Sequence, residues 1–100
     1  MTNKKITNKK TASQAPLAWT DPAWDDYLYW QATDTTKLER INDLIKDIRR
    51  DPFKGLGKPE PLVGPFSGFW SRRIDLEHRL VYAYEGGALT IMQARYHYEK

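Results

Sequence analysis

The order of hydropathy patterns predicts an α+β domain, with two N-terminal helices packed on one face of a twisted, mainly antiparallel β-sheet. Two stretches in the first half repeat apolar residues at helical spacing. Three runs in the second half are rich in β-branched and aromatic residues, and a segment dense in glycine and proline separates the two regions. One hundred residues make a single domain with one core, and thirteen aromatics, four of them Trp, supply much of what can be buried.

The elements follow in order. MTNKKITNKKTASQA is polar, echoes TNKK, and has one large apolar residue, Ile6. It cannot bury enough surface to order itself, so residues 1–15 read as a flexible basic leader and 16–100 as a single domain. LAWT reads as a short strand. DPAWDDYLYWQAT reads as a helix, with Asp21 at the N-cap, Pro22 at the first position, and Trp24, Tyr27, Leu28 and Gln31 as its stripe. TTKLERINDLIKDIRRDP is the clearest helix: Thr36 and Glu39 have capping-box spacing, and Leu38, Ile41, Leu44, Ile45 and Ile48 form the apolar face. Arg49 and Arg50 suit the negative end of the helix dipole, and Pro52 stops the helix. Residues 53–68 read as a long loop with four glycines and three prolines, and loops of that length in small domains tend to be functional. FWSRRI, HRLVYAYE and ALTIMQARYHY read as three strands, the last two joined at Glu85-Gly86-Gly87.

Composition narrows the chemistry. The chain has no cysteine, so neither disulfides nor thiolate ligands and nucleophiles are available. Its two histidines, His78 and His97, lack the helical spacing of a zinc motif, so no metal or other cofactor is expected. No run of about eighteen apolar residues exists to span a membrane, and no apolar stretch follows Lys10 as a signal peptide requires, which predicts a cytoplasmic protein. The net charge of +3 is unevenly distributed. Residues 1–14 have four lysines and no acid, 15–51 have five bases and eight acids, and 52–100 have seven bases and five acids. Cations suited to a polyanion therefore lie in the second half.

Those cations have company. Lys58 and Glu60 lie in the loop, Arg72 and Arg73 on the first strand of the meander, His78 and Arg79 at the start of the next, and Arg95, His97 and Tyr98 at the end of the last. Neighbouring strands bring such residues together. Alternation sets Arg79 on one face with the small residues Val81 and Ala83, leaving room for a ligand or a packed helix. A carboxylate, a histidine and several arginines suit RNA cleavage by the adjacent 2′-OH: Glu60 as base, His97 as acid, arginines holding the phosphorane, and Tyr98 orienting the phosphate or stacking on a base. Each has an ordinary reading as well. Glu60 in KPEP suits a solvated loop, and His97 between tyrosines suits strand filler. Arg72 and Arg73 point to opposite faces, so one of them suits a salt bridge. Trp24 and Trp70 suit the core, and His78 carries no signal beyond starting a strand.

WDDYLYWQ, INDLIKDIRRDPFKGLGKPEPL, SGFWSRRI, EHRLVYA and RYHY, in this order, resemble the YoeB (Txe) family within the RelE-like toxin superfamily, over roughly residues 17–98. The resemblance implies a RelE-like, microbial-ribonuclease-like fold. It also implies a toxin of a type II toxin–antitoxin pair that acts as a metal-independent endoribonuclease, cutting mRNA in the ribosomal A site. The family's glutamate base falls on Glu60, its phosphate-binding arginine on Arg79, its histidine acid on His97, its final tyrosine on Tyr98 and a supporting arginine on Arg73. Lys58 and Arg72 complete the expected RNA-binding set. Implied partners are the ribosome, mRNA and a YefM-like antitoxin. Operator DNA would be reached only through the antitoxin complex, and the helix faces allow a homodimer.

Three features depart from that pattern: Val63 where the family has a basic residue shortly after PEPL, Glu99 and Lys100 beyond the YHY tyrosine, and the longer basic leader. Two alternatives remain open from sequence. One is a non-nuclease relative such as a gyrase-poisoning ParE-like toxin, which has no need of the Glu60, Arg79, His97, Tyr98 set. The other is a decayed toxin that binds RNA or a partner without cutting, which Val63 and the extended tail favour.

Overall fold

A computed structural model describes residues 16–96, so the expected leader, His97, Tyr98, Glu99 and Lys100 lie outside the described residues. The chain runs β1 (Leu17–Trp19), α1 (Asp21–Thr33), α2 (Thr35–Arg50), β2 (Glu60–Pro61), a 3₁₀ turn at Gly64–Phe66, β3 (Trp70–Arg73), β4 (Arg79–Glu85) and β5 (Ala88–Gln93). The five strands form one sheet in the order β1-β5-β4-β3-β2. β1 lies parallel to β5, with Leu17 opposite Leu89, and every other pairing is antiparallel. The expected loop 53–68 thus contains a two-residue edge strand, and it is this strand that carries Glu60. No helix among the described residues is long and apolar enough to cross a membrane.

Helix α2 buries the face its sequence spells out: Ile41, Leu44, Ile45 and Ile48, with Leu38 packed at the edge. Full burial of each such side chain contributes about 2 kcal/mol. Its cap is Asp34, whose Oδ1 accepts from the N–H groups of Thr36 and Lys37 at 3.0 and 3.3 Å. The helix begins at Thr35 with Asp34 as its cap, so Thr36, two residues later, lies inside the first turn rather than at the head of the expected Thr36–Glu39 capping box.

Helix α1 differs from its expected orientation. Thr20 rather than Asp21 is the cap: its Oγ1 accepts from Ala23 N–H at 3.2 Å and donates to the Met92 carbonyl at 2.9 Å, tying the helix start to β5. The buried residues are Ala23 and Trp30, while Trp24, Leu28 and Gln31 are exposed. Aromatic residues ring this helix, so apolar spacing alone does not select a face. Trp30 goes inside because its Nε1–H finds the Ala94 carbonyl at 2.8 Å. Trp24 instead stacks on Tyr27 (5.4 Å between rings) at the edge of the molecule.

The helices meet Ile74, Leu80, Tyr82, Leu89, Ile91 and Ala94 of the sheet side in one core cluster, with Trp70 packed against it. Arg79, Val81 and Ala83 therefore lie on the opposite face, which no described helix covers. Gly86 and Gly87 form a two-residue hairpin loop, both at positive φ (56° and 78°), as a type I′ turn requires. Near the other end of this hairpin the register shifts. Tyr82 pairs with Ile91 but Val81 with Gln93, so Met92 is an extra residue on β5. That bulge turns Gln93 to the open face and returns Ala94 to the core.

Candidate functional site

The two adjacent arginines of β3 meet opposite fates. Arg72 is 0% exposed, an exception for a guanidinium. Its Nε donates to the Tyr82 hydroxyl, Nη1 to Asp47 Oδ2 (2.7 Å) and the Leu56 carbonyl, and Nη2 to the carbonyls of Asp51 (2.7 Å) and Lys54. All five donors are used. The expected phosphate-binding role for Arg72 is therefore corrected: it is a structural cation that no ligand can reach.

What Arg72 organises is the segment after α2. Its carbonyl partners lie at Asp51, Lys54 and Leu56, while the Tyr82 hydroxyl donates to Pro52 at 2.7 Å. Asp47 Oδ2 also accepts the Leu56 N–H at 2.8 Å. That bond, followed by Arg50 and, against the effect of burial, Arg72, lowers the Asp47 carboxyl to about 2. Gly57 closes the web: it has φ +77°, its carbonyl accepts Arg73 N–H at 2.7 Å, and an added Cβ would sit 3.0 Å from the Arg73 carbonyl oxygen. Backbone riveted this closely delivers Lys58, Pro59 and Glu60 to the sheet edge.

Glu60 pairs with Ser71, Ser71 with Val81, and Val81 with Gln93, a row crossing four strands on the open face. Two residues along, Arg73 lies directly opposite Arg79. Strands sit about 4.8 Å apart, so on this surface Arg73 and Arg79 are direct cross-strand neighbours and Glu60, on the edge strand and two residues along, is diagonal to Arg73. Leu62, Ser71 and Val81 are buried outside the helix-side cluster and form its floor. Lys58 is exposed at the rim, as is Val63, at 77%. Neither Arg73 nor Arg79 forms an ion pair among the described residues, and Arg79 Nη1 reaches only the Asp75 carbonyl at 3.4 Å. Like charges directly opposite across a ladder are unfavourable, so the fold maintains a local cation excess that an anion would relieve.

Of the expected site, the described structure brings Glu60, Arg73 and Arg79 together with Lys58 beside them. His97 and Tyr98 lie outside it, but their predecessor Tyr96 is described: its carbonyl accepts the Arg79 N–H at 3.0 Å. Arg95 is not free for a ligand, since its guanidinium lies 3.6 Å over the Tyr29 ring and its Nη2 donates to the Tyr96 hydroxyl.

Sequence reasoning passed over the turn that sets Arg79. Asp75 Oδ1 accepts from the N–H groups of Glu77 (2.8 Å) and His78 (2.6 Å), and Oδ2 pairs with Lys37 at 2.8 Å. Burial alone would raise the Asp75 carboxyl, but the Lys37 bond and the two N–H groups outweigh it and hold it at about 2. The signal was available as an Asp two and three residues before the amides it caps. Asp26 is half-buried and accepts Ala94 N–H at 2.9 Å; burial raises its carboxyl despite that bond.

A sheet with two helices on one face and a cationic open face on the other is the fold of a class of small bacterial toxins. YafQ of E. coli superposes with TM-score 0.65 over 83% of this chain and 93% of its own at 18% identity, a likeness of fold alone. The YoeB/ParE toxin from Agrobacterium tumefaciens is nearer, with TM-score 0.81 and 54% identity over 83% of this chain and 99% of that one. The YoeB of a dimer from Staphylococcus aureus gives TM-score 0.80 at 38% identity over 86% and 100%. In sequence, Toxin YoeB of Escherichia coli (strain K12) is 61% identical over 82 residues, covering 82% of this chain and 98% of that protein. Residues 19–98 match the profile of the YoeB-like toxin of bacterial type II toxin-antitoxin system. The chain belongs to that family and is a toxin of the type II toxin–antitoxin class.

Proposed function

We propose that this toxin is a ribosome-dependent endoribonuclease that cuts mRNA in the ribosomal A site and so stops translation. The observation that carries the reading is the Arg73–Arg79 pair, two cations without ion-pair partners among the described residues, with Glu60 on the neighbouring edge strand. Glu60 takes the proton from a ribose 2′-OH. The 2′ oxygen attacks the adjacent phosphorus, the bond to the 5′ oxygen breaks, and His97 protonates that leaving oxygen. The products are a 2′,3′-cyclic phosphate and a 5′-hydroxyl, so no water is consumed. Arg79, with Arg73 beside it, holds the phosphorane oxygens by charge-assisted hydrogen bonds. Tyr98 orients the scissile phosphate, and Lys58 meets a flanking phosphate at the rim.

The partners follow from the same reading and from relatives. A YoeB–YefM complex is known from Staphylococcus aureus, as is a YoeB dimer. A YefM-like antitoxin is the proposed inhibitor here, a homodimer the proposed assembly, and contact with operator DNA is proposed through the antitoxin complex alone. An antitoxin segment laid against the last strand would cover the His97 and Tyr98 end of the site without unfolding the domain.

The test is cleavage of a translated mRNA by variants whose ribosome binding is measured alongside. Arg79→Ala should slow cleavage by about 10²–10³-fold, the usual loss for one transition-state donor, and His97→Gln should abolish it. Both should still bind ribosomes. Wild-type cleavage by either variant would overturn the assignment. Binding without cleavage in the wild-type protein itself would identify a decayed module instead.

A further inference from the structure

His78 has no part in the chemistry above, yet its ring holds the backbone immediately before His97. The β4–β5 ladder ends with the Val81–Gln93 pair beyond the bulge. Two residues after Ala94, Tyr96 adopts φ +63°, a left-handed conformation that costs a non-glycine residue about 1 kcal/mol or more. Its peptide groups are held from both sides by two consecutive residues, His78 just before β4 and Arg79 at its start. His78 Nδ1 accepts the Tyr96 N–H at 2.7 Å, and the Arg79 N–H donates to the Tyr96 carbonyl at 3.0 Å. Gln93 Nε2 adds a longer bond to the same carbonyl, at 3.3 Å.

The imidazole is itself fixed. Its side chain is only 12% exposed and stands edge-on to Trp30, 4.9 Å between rings. Trp30 and Asp26 hold the two sides of Ala94, at 2.8 and 2.9 Å. The His78 backbone N–H is pinned by Asp75 and its carbonyl accepts Ile74 N–H at 2.9 Å. A ring nitrogen can accept only when it carries no proton, so Nδ1 is the bare nitrogen and Nε2, 3.6 Å from Glu77, carries the proton.

We propose that His78 is a positioning residue: by accepting the Tyr96 amide it fixes the strained backbone from which the chain continues to His97, the proposed general acid. This rests on the reading of His97 and Arg79 given above. Without the acceptor, Tyr96 can relax toward an ordinary φ and redirect the residue that follows. A displacement of about 1 Å costs roughly 10²-fold in rate.

The experiment uses the full chain and three substitutions, His78→Asn, His78→Gln and His78→Ala. Asn Oδ1 stands where Nδ1 stands and can accept the Tyr96 N–H, whereas Gln Oε1 stands where Nε2 stands and cannot. Single-turnover cleavage of ribosome-bound mRNA gives the rate and the half-saturating toxin concentration. Amide hydrogen exchange at Tyr96 reads the bond directly, and thermal unfolding controls for stability. The expected order is wild type and Asn fast, Gln and Ala slower by roughly 10²-fold, with half-saturation unchanged and Tyr96 protected only in the fast pair. Equal rates for Asn and Gln, or wild-type rates for Ala, would overturn the proposal. The comparison of Asn with Gln stands even if Ala fails to fold. Protection in the expected order from a wild-type protein that cuts nothing would overturn the nuclease reading, and with it the role of His78 in positioning the acid, while leaving the anchor in place.

Discussion

Arg72 and Arg73 are neighbours in sequence and differ in almost every physical respect. Arg72 is sealed among Asp47, Tyr82 and three loop carbonyls, whereas Arg73 is half-buried opposite another cation. Replacing Arg72 by Ala leaves Asp47 and several carbonyls short of a partner and should cost about 3–5 kcal/mol in urea unfolding. Arg72→Lys should also destabilise, because one ammonium with three donors cannot replace a five-donor fork. Arg73→Ala should leave stability within about 0.5 kcal/mol, since it removes a like-charge contact and no described ion pair. Alternation in WSRRI was enough to separate the two arginines onto different faces. Which one went inside was not legible, because that depends on a carboxylate twenty-five residues upstream and on the hydroxyl of Tyr82 on the next strand. The same limit applies to Trp24 and Trp30: the carbonyl of Ala94, sixty-four residues from Trp30, decides between them.

At the scale of elements, two carboxylates do work out of proportion to their size. Asp47 latches the segment leading to β2, and Asp75 shapes the turn that presents His78 and Arg79. Both have folded pKa values near 2, below the ordinary 3.8. A depressed folded pKa stabilises above the unfolded value and is lost as pH falls through the folded one, so both contributions should be intact at neutral pH. Thermal stability should therefore fall between pH 3.8 and about 2, and Asp47→Asn, already weaker at neutral pH, should show a shallower fall. An identical acid profile for the variant would remove Asp47 from the account. Asp26, raised by burial, acts in the opposite direction and in a different window: it adds stability as pH falls from its raised folded value toward 3.8, above the range in which Asp47 and Asp75 lose theirs. The apolar face of helix α2, Leu38, Ile41, Leu44, Ile45 and Ile48, was legible residue by residue because it is one-sided. Both caps were misassigned by one or two positions, since Thr20, Asp21, Asp34 and Thr36 are all competent caps and tertiary contacts choose among them. The β2 strand was hidden because two residues between prolines carry no periodicity, and the β5 bulge because Met92 fits either face.

Across the whole molecule, one face of the sheet is given to the core and the other to charge. Order of elements and the meander were enough to foresee that division, and Glu60, Arg73 and Arg79 converge as adjacent strands require. What sequence hid was the support behind them: Arg72, Gly57, Asp75 and His78 act through contacts across the sheet and carry no motif. Val63 stands 77% exposed three residues beyond Glu60. The activity proposed for this surface is cleavage of mRNA only when the ribosome presents it. The direct measurement is primer extension on a translated mRNA incubated with the purified protein, with and without ribosomes. Cuts should appear only in the presence of ribosomes, at a fixed position relative to the A-site codon. Cuts on naked RNA alone, or no cuts in either case, would contradict it.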